Sequence, residues 1–218
     1  MNSVIAWFFP NRCPSCGVII KHDDLFCRDC SEDLIHIRPA AYEHMSRHIN
    51  GMCAPFDYSG SPKNAVIRPK FGKDESCAAD MAVCMSECLD LSFPGIKFDM
   101  AVPVPMTHSH KAARGFNQSE LLSKKLRCGG KRIKQRPSLL KKTAEIRSQH
   151  ELSRAQRALN PKGAFGLDPK ADINGARILL VDDIYTTGAT AAECASVLKK
   201  AGAAEVFVIT FAKTALHN

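Results

Sequence analysis

ILLVDDIYTTGAT, residues 178–190, runs from an aliphatic stretch through two adjacent aspartates into Thr-Thr-Gly. It reads as three joined pieces: a buried strand over Ile178 to Val181, a polar switch at Asp182 and Asp183, and a helix that opens on Thr186, Thr187 and Gly188. In an open α/β sheet, ligands bind at the C-terminal ends of the strands, where loops lead into helix N-termini. Exposed N–H groups of such a helix start, a small Gly188 and the hydroxyls of Thr186, Thr187 and Thr190 suit a phosphate. Adjacent carboxylates repel each other unless they are hydrogen-bonded or metal-linked, so Asp182 and Asp183 suit hydroxyl donors or a hydrated Mg²⁺. The ligand implied carries a phosphate and a diol. Three other readings compete. A Walker B strand also ends in two acids, but the chain contains no G-x-x-x-x-G-K-[ST]. A receiver-type acidic pocket leaves the Thr-Thr-Gly turn unexplained, and the acids could simply cap a loop.

The flanking sequence supplies the sheet. ARILLVDD (176–183) reads as a strand, GATAAECASVLKKAGA (188–203) as a helix closed near Gly202, and AEVFVITFAK (204–213) as a strand. Together they form a βαβ unit, which makes a parallel sheet the natural architecture. Upstream, AADMAVCMSECLDL (78–91) carries apolar residues at three- and four-residue spacing and predicts a helix. FDMAVPVP (98–105) predicts a buried strand that stops at its prolines. NQSELLSKKL (117–126) places Asn117 as a cap with Glu120 three residues on, a capping-box start, and Gly129 and Gly130 are expected to break that helix.

At 218 residues, the chain has room for one α/β domain and a small appendage. The division expected is an N-terminal module over 1–55 and an α/β domain over 56–218. No run of 18 apolar residues occurs, so no transmembrane helix is expected. The stretch VIAWFFP near the N-terminus is read as packing on the protein, with weak membrane contact as the alternative. Ten cysteines without a secretion signal favour a reducing compartment, so the expected location is cytoplasmic, with the inner face of the membrane as the variant.

Cys13, Cys16, Cys27 and Cys30 are spaced C-x2-C-x10-C-x2-C, which supplies four thiolates to a tetrahedral structural Zn²⁺. Loops this short cannot build a core, so the metal would fold the module, contributing on the order of 10 kcal/mol. Four thiolates leave no open position for zinc catalysis. His22, inside the loop, is a weaker candidate ligand. The other six cysteines lack a second paired pattern and read as small buried residues.

The net charge of +8 is unevenly spread: residues 124–162 hold thirteen Lys and Arg against Glu145 and Glu151, a net +11 that leaves −3 for the rest. Such a segment suits a polyanion or a phosphate ligand, with a solvated basic face as the alternative. Only Phe165 follows it as a stacking ring, so a single-strand groove would borrow aromatic residues from elsewhere.

LLVDDIYTTGAT resembles the 5-phosphoribosyl-1-pyrophosphate (PRPP) signature of type I phosphoribosyltransferases. With VPVPMTHSHKAARGFNQSELL (102–122), RSQHELSRAQRALNPKGAF (147–165) and the upstream cysteine pairs, the chain resembles the ComF family over nearly its whole length. The resemblance implies a type I phosphoribosyltransferase-like parallel sheet flanked by helices, preceded by a small zinc-binding module. It implies that Asp182 and Asp183 contact ribose hydroxyls, and that Thr186, Thr187, Gly188, Ala189 and Thr190 hold the 5-phosphate, with Mg²⁺ accompanying PRPP. Lys111 and Arg114 become the cationic candidates for pyrophosphate. Arg147, Gln149, Arg154 and Arg157 become contacts of a loop that closes over PRPP, or of DNA. The family implies a link to natural competence, with single-stranded DNA as a partner and proteins of the competence machinery as further candidates. Two functions stay open: a DNA-handling protein that retains a PRPP pocket, and a transferase that moves ribose 5-phosphate to an acceptor with release of pyrophosphate.

Overall fold

The computed structural model describes residues 11–21, 24–36, 46–68, 75–107, 111–112, 115–142 and 163–214. In chain order the elements are α1 (Arg28–Ser31), β1 (Gly51–Cys53), β2 (Phe56–Asp57), α2 (Gly60–Ile67), α3 (Glu75–Ser92), β3 (Met100–Pro103) and α4 (Gln118–Ser123). There follow β4 (Arg127–Cys128), β5 (Lys131–Arg132), β6 (Leu140–Lys142), β7 (Phe165–Leu167), β8 (Arg177–Tyr185), α5 (Ala189–Lys200) and β9 (Glu205–Lys213). The main sheet is parallel and five-stranded, in the order β1-β9-β8-β3, with β2 extending β1 along the same edge of β9.

The aliphatic run forms the centre of the sheet because both of its faces are covered. Leu179 and Val181 face one core layer with Met81, Met85 and Leu89 of α3 and Leu122 of α4. Ile178 and Leu180 face the other, with Cys194, Ala195 and Leu198 of α5. This two-sided burial explains why β8 reads as a continuous apolar stretch instead of alternating. All four of these β8 side chains are fully buried.

β8 outlasts its aliphatic residues. It continues through both aspartates to Tyr185, pairing Asp182 with Thr210 and Tyr185 with Lys213. The helix predicted from Asn117 forms as the short α4, capped as expected: the Asn117 side chain accepts from Ser119 N–H. Glu120 does not close a capping box but reaches Lys111 at 3.1 Å. Gly129 and Gly130 do more than end a helix. At φ +55° and +73° they form the two-residue turn of the β4–β5 hairpin, a geometry that glycine adopts without strain. Residues 134–136 then run beside the outer edge of β3, where Ala101 N–H donates to Lys134 and Arg136 N–H donates to Ala101 O, both at 2.9 Å.

Candidate functional site

At the C-terminal end of β8 the chain turns tightly into α5. Gly188 caps this helix in the left-handed region, at φ +74°. A Cβ there would lie 2.0 Å from the Tyr185 hydroxyl oxygen, so the buried Tyr185 ring occupies the space that only glycine leaves. Thr214 fixes the turn to the end of β9: its N–H donates to Tyr185 O at 2.9 Å and its hydroxyl to Thr186 O at 3.2 Å. Ala189 N–H points to Thr187 Oγ1 at 3.4 Å. The result is a small open pocket lined by Asp182, Tyr185, Thr186, Gly188, Ala189 and Thr190, with the buried Thr210 of β9 behind it. Thr186 and Thr187 are exposed, so their hydroxyls are available to a ligand.

Asp182 is half-buried and held. Ser119 of α4 donates its hydroxyl to Oδ1 at 2.8 Å, and Asp183 N–H donates to the same oxygen at 3.0 Å. Burial of the carboxyl, followed by the neighbouring Asp183 charge, pushes the pKa of Asp182 well above the usual carboxylate range, against the lowering effect of those two donors. The pair is therefore poised to gain from a cation or from hydroxyl donors, which would relieve the repulsion.

Ser119 is the residue that motif reading missed. It follows Asn117 and Gln118, and all three polar side chains are buried. Asn117 Nδ2 donates to Val104 O at 3.0 Å and Gln118 Nε2 donates to Val66 O at 2.9 Å, which locks α4 between β3 and α2 and aims Ser119 at Asp182. The available signal was a run of four polar residues at a helix start, Asn117 to Glu120, followed by the apolar Leu121 and Leu122.

Lys111 stands on the segment after β3, with its ammonium on Glu120. Arg114, Arg147, Gln149, Arg154 and Arg157 lie outside the described residues, as does His22. The residues on either side of 143–162 are described. Lys142 pairs with Phe165, and Gly163 N–H donates to Glu193 in the first turns of α5 at 2.7 Å.

The four N-terminal thiols meet. The Sγ atoms of Cys13, Cys16, Cys27 and Cys30 all lie within 4.8 Å of one another. A tetrahedral Zn²⁺ with bonds of about 2.3 Å spaces its sulfurs by about 3.8 Å, so the set fits zinc. The first pair sits on a tight knuckle: Gly17 N–H donates to Cys13 O and Cys13 N–H to Val18 O, both at 2.8 Å. The second pair flanks the start of α1. Burial alone would raise the Cys13 thiol, but backbone donors from Cys16, Cys27 and Ser15 bring it down to about 7. Burial and the surrounding sulfurs push Cys16 up to about 12, which a metal would reverse by displacing the proton. The module is built onto the sheet: Phe26 packs edge-on against Phe56 at 6.1 Å, and Asp33 accepts from Ser61 N–H at 3.1 Å at the start of α2. Of the six remaining cysteines, Cys53, Cys77, Cys88 and Cys194 are buried, and Cys84 and Cys128 are half-buried.

A family model described as a double zinc ribbon domain matches residues 4–54. Those residues hold five cysteines, enough for one four-thiolate site. The DNA utilization protein YhgH of Salmonella typhimurium is 31% identical over 211 residues, covering 93% of this chain and 84% of that protein. Competence protein ComFC of Bacillus subtilis is 29% identical over 208 residues, covering 93% of this chain and 78% of its own length. Competence protein F of Haemophilus influenzae is 36% identical over 108 residues, 49% of this chain and 47% of that protein. Among the described residues no helix is long and apolar enough to cross a membrane.

Proposed function

The chain belongs to the ComF family, and from that premise we propose that it is a DNA-handling protein of natural transformation whose β8–α5 turn binds Mg²⁺ and PRPP. One observation carries the ligand assignment: a Ser119-held acidic pair stands directly before a glycine-capped helix start. The N–H groups and hydroxyls of Thr186 to Thr190 suit the 5-phosphate. Asp182 and Asp183 suit the ribose hydroxyls, and their mutual repulsion favours the divalent cation that would accompany the pyrophosphate. Mg²⁺ when bound would polarise the pyrophosphate; the chain's own groups orient the sugar and the 5-phosphate.

DNA handling is drawn from the relatives' names and from the charge of residues 124–162. Gly163, which follows 143–162, is bonded to Glu193 of α5, and this supports a role for Arg147, Gln149, Arg154 and Arg157 at the ligand, on DNA or on both. Binding is favoured over turnover by the turn itself. From Ile184 to Thr190 it offers Tyr185 and three threonines; burial raises the Tyr185 pKa and keeps its hydroxyl protonated, so these side chains supply hydroxyls and not a base at neutral pH.

The test is to incubate zinc-loaded protein with PRPP, Mg²⁺, a mixed pool of bases and single-stranded DNA, and to measure pyrophosphate against the Asp182→Asn/Asp183→Asn variant. Release no greater than the variant's is expected. Release above it would make the protein a transferase.

A further inference from the structure

Residues 94–98, which precede β3, and the β4–β5 hairpin enclose a groove of about 730 Å³. Its floor includes Ile96, Phe98 and Ile133, and its rim carries Lys97, Lys131 and Arg132 against a single acid, Asp90. Asp90 is turned onto the hairpin backbone, accepting from Gly129 N–H at 2.8 Å. The walls are tied together: the Cys128 thiol donates to Ile96 O at 3.2 Å, and Arg127 N–H donates to Ser86 Oγ of α3 at 3.0 Å. Arg132 is fixed by donating from Nε to Lys124 O at 2.9 Å. Lys97 and Lys131 are exposed and, among the described residues, have no ion-pair partner. The groove is thus preformed, apolar at the bottom and positive at the mouth.

Its cations do not stop at the mouth. Lys134 and Arg136 continue along the outer edge of β3, held there by the two backbone bonds to Ala101, and Lys141 and Lys142 follow on β6. Lys134 and Arg136 lie at the β3 edge of the sheet, and the groove sits at the end from which the strands start, opposite the β8 turn.

We propose that this groove seats one base of a single-stranded nucleic acid against Phe98, with Lys97, Lys131 and Arg132 on the flanking phosphates and the strand continuing past Lys134 and Arg136. Single-strand sites combine a positive track with an aromatic surface for a base, and both are present here. An unpaired base can enter such a floor, whereas a duplex keeps its bases stacked inside. Phe98 packs edge-on against Phe207 at 5.4 Å, which makes the ring a rigid wall. An acidic peptide would satisfy the rim but would leave the basic track along β3 without a matching repeat of charge. The proposal rests on the nucleic-acid half of the proposed function and supplies the aromatic contact that residues 124–162 themselves lack.

The test uses the full zinc-loaded chain. Fluorescence anisotropy with a 20-nucleotide single strand compares the wild type with Lys97→Glu/Lys131→Glu, and a 5-iodouracil strand is photo-crosslinked and mapped by mass spectrometry. At least a tenfold loss of affinity in the variant, a salt slope smaller by about two contacts, and crosslinks on the peptide containing Phe98 are expected. Wild-type binding with unchanged affinity in the variant and crosslinks elsewhere would overturn the groove and leave DNA binding standing. No wild-type binding at low salt would overturn both, as would tighter binding of an acidic peptide than of the strand.

Discussion

Asp182 shows how one residue can be unfavourable for the fold and favourable for a ligand. In the ligand-free protein its pKa is raised, so native Asp182 keeps a proton at pH values where the unfolded chain has lost it. The native state then binds more protons than the unfolded one across that window, and stability falls as pH rises from the ordinary carboxylate range through the raised value. Asp182→Asn removes the ionisation while keeping an acceptor for Ser119. We expect it to raise the melting temperature at neutral pH by a few degrees and to flatten the pH dependence. A melting temperature that drops, or an unchanged pH profile, would show that Asp182 is not the titrating group. Cation-assisted ligand binding runs the other way, strengthening as pH rises, because it needs the ionised pair. Gly188 is the second decisive residue. Gly188→Ala forces a left-handed backbone, at about 1–2 kcal/mol, and drives its Cβ into Tyr185. Urea denaturation should show a loss of at least that size, and an unchanged midpoint would contradict the turn geometry.

At the scale of elements, the sequence was most legible where periodicity and burial agree. β8, α5 and β9 follow the predicted boundaries closely, because a buried parallel strand needs an unbroken apolar run and the helix between needs a clear start and stop. The β4–β5 hairpin was hidden because its strands are two residues each and mostly charged, and are positioned by contacts to α3 that no local pattern announces. The acidic pair and the four cysteines could be named from spacing alone. Ser119 could not, since its role depends on α4 crossing the end of β8. The zinc module and α2 form one linked unit, because Asp33 supplies the acceptor at the start of that helix and Ser59, at its N-cap, makes no side-chain cap. Chelation should release about one zinc per chain and weaken the start of α2 by about 0.5–2 kcal/mol, seen as faster amide exchange at Ser61, while β8 and β9 stay protected. Zinc release with Ser61 exchange unchanged would mean that the module is only tethered.

The whole molecule is organised by its ends. The strands' C-terminal edge carries the acidic pair and the glycine-capped turn; the opposite edge carries a cation-rimmed groove; and Lys134 and Arg136 run beside β3 at Ala101, while the zinc module packs at the β2 edge. This separation predicts that a small phosphorylated ligand and a polyanion can be lost independently. The turn that opens α5 is the centre of the functional assignment, and calorimetric titration of the zinc-loaded full chain with PRPP and Mg²⁺ addresses it most directly. Saturable, Mg²⁺-dependent binding at about one site per chain, lost in Asp182→Asn/Asp183→Asn with the fold intact, is the expected result. No binding by the wild type, or equal binding by the variant, would contradict the assignment of this turn as the PRPP site.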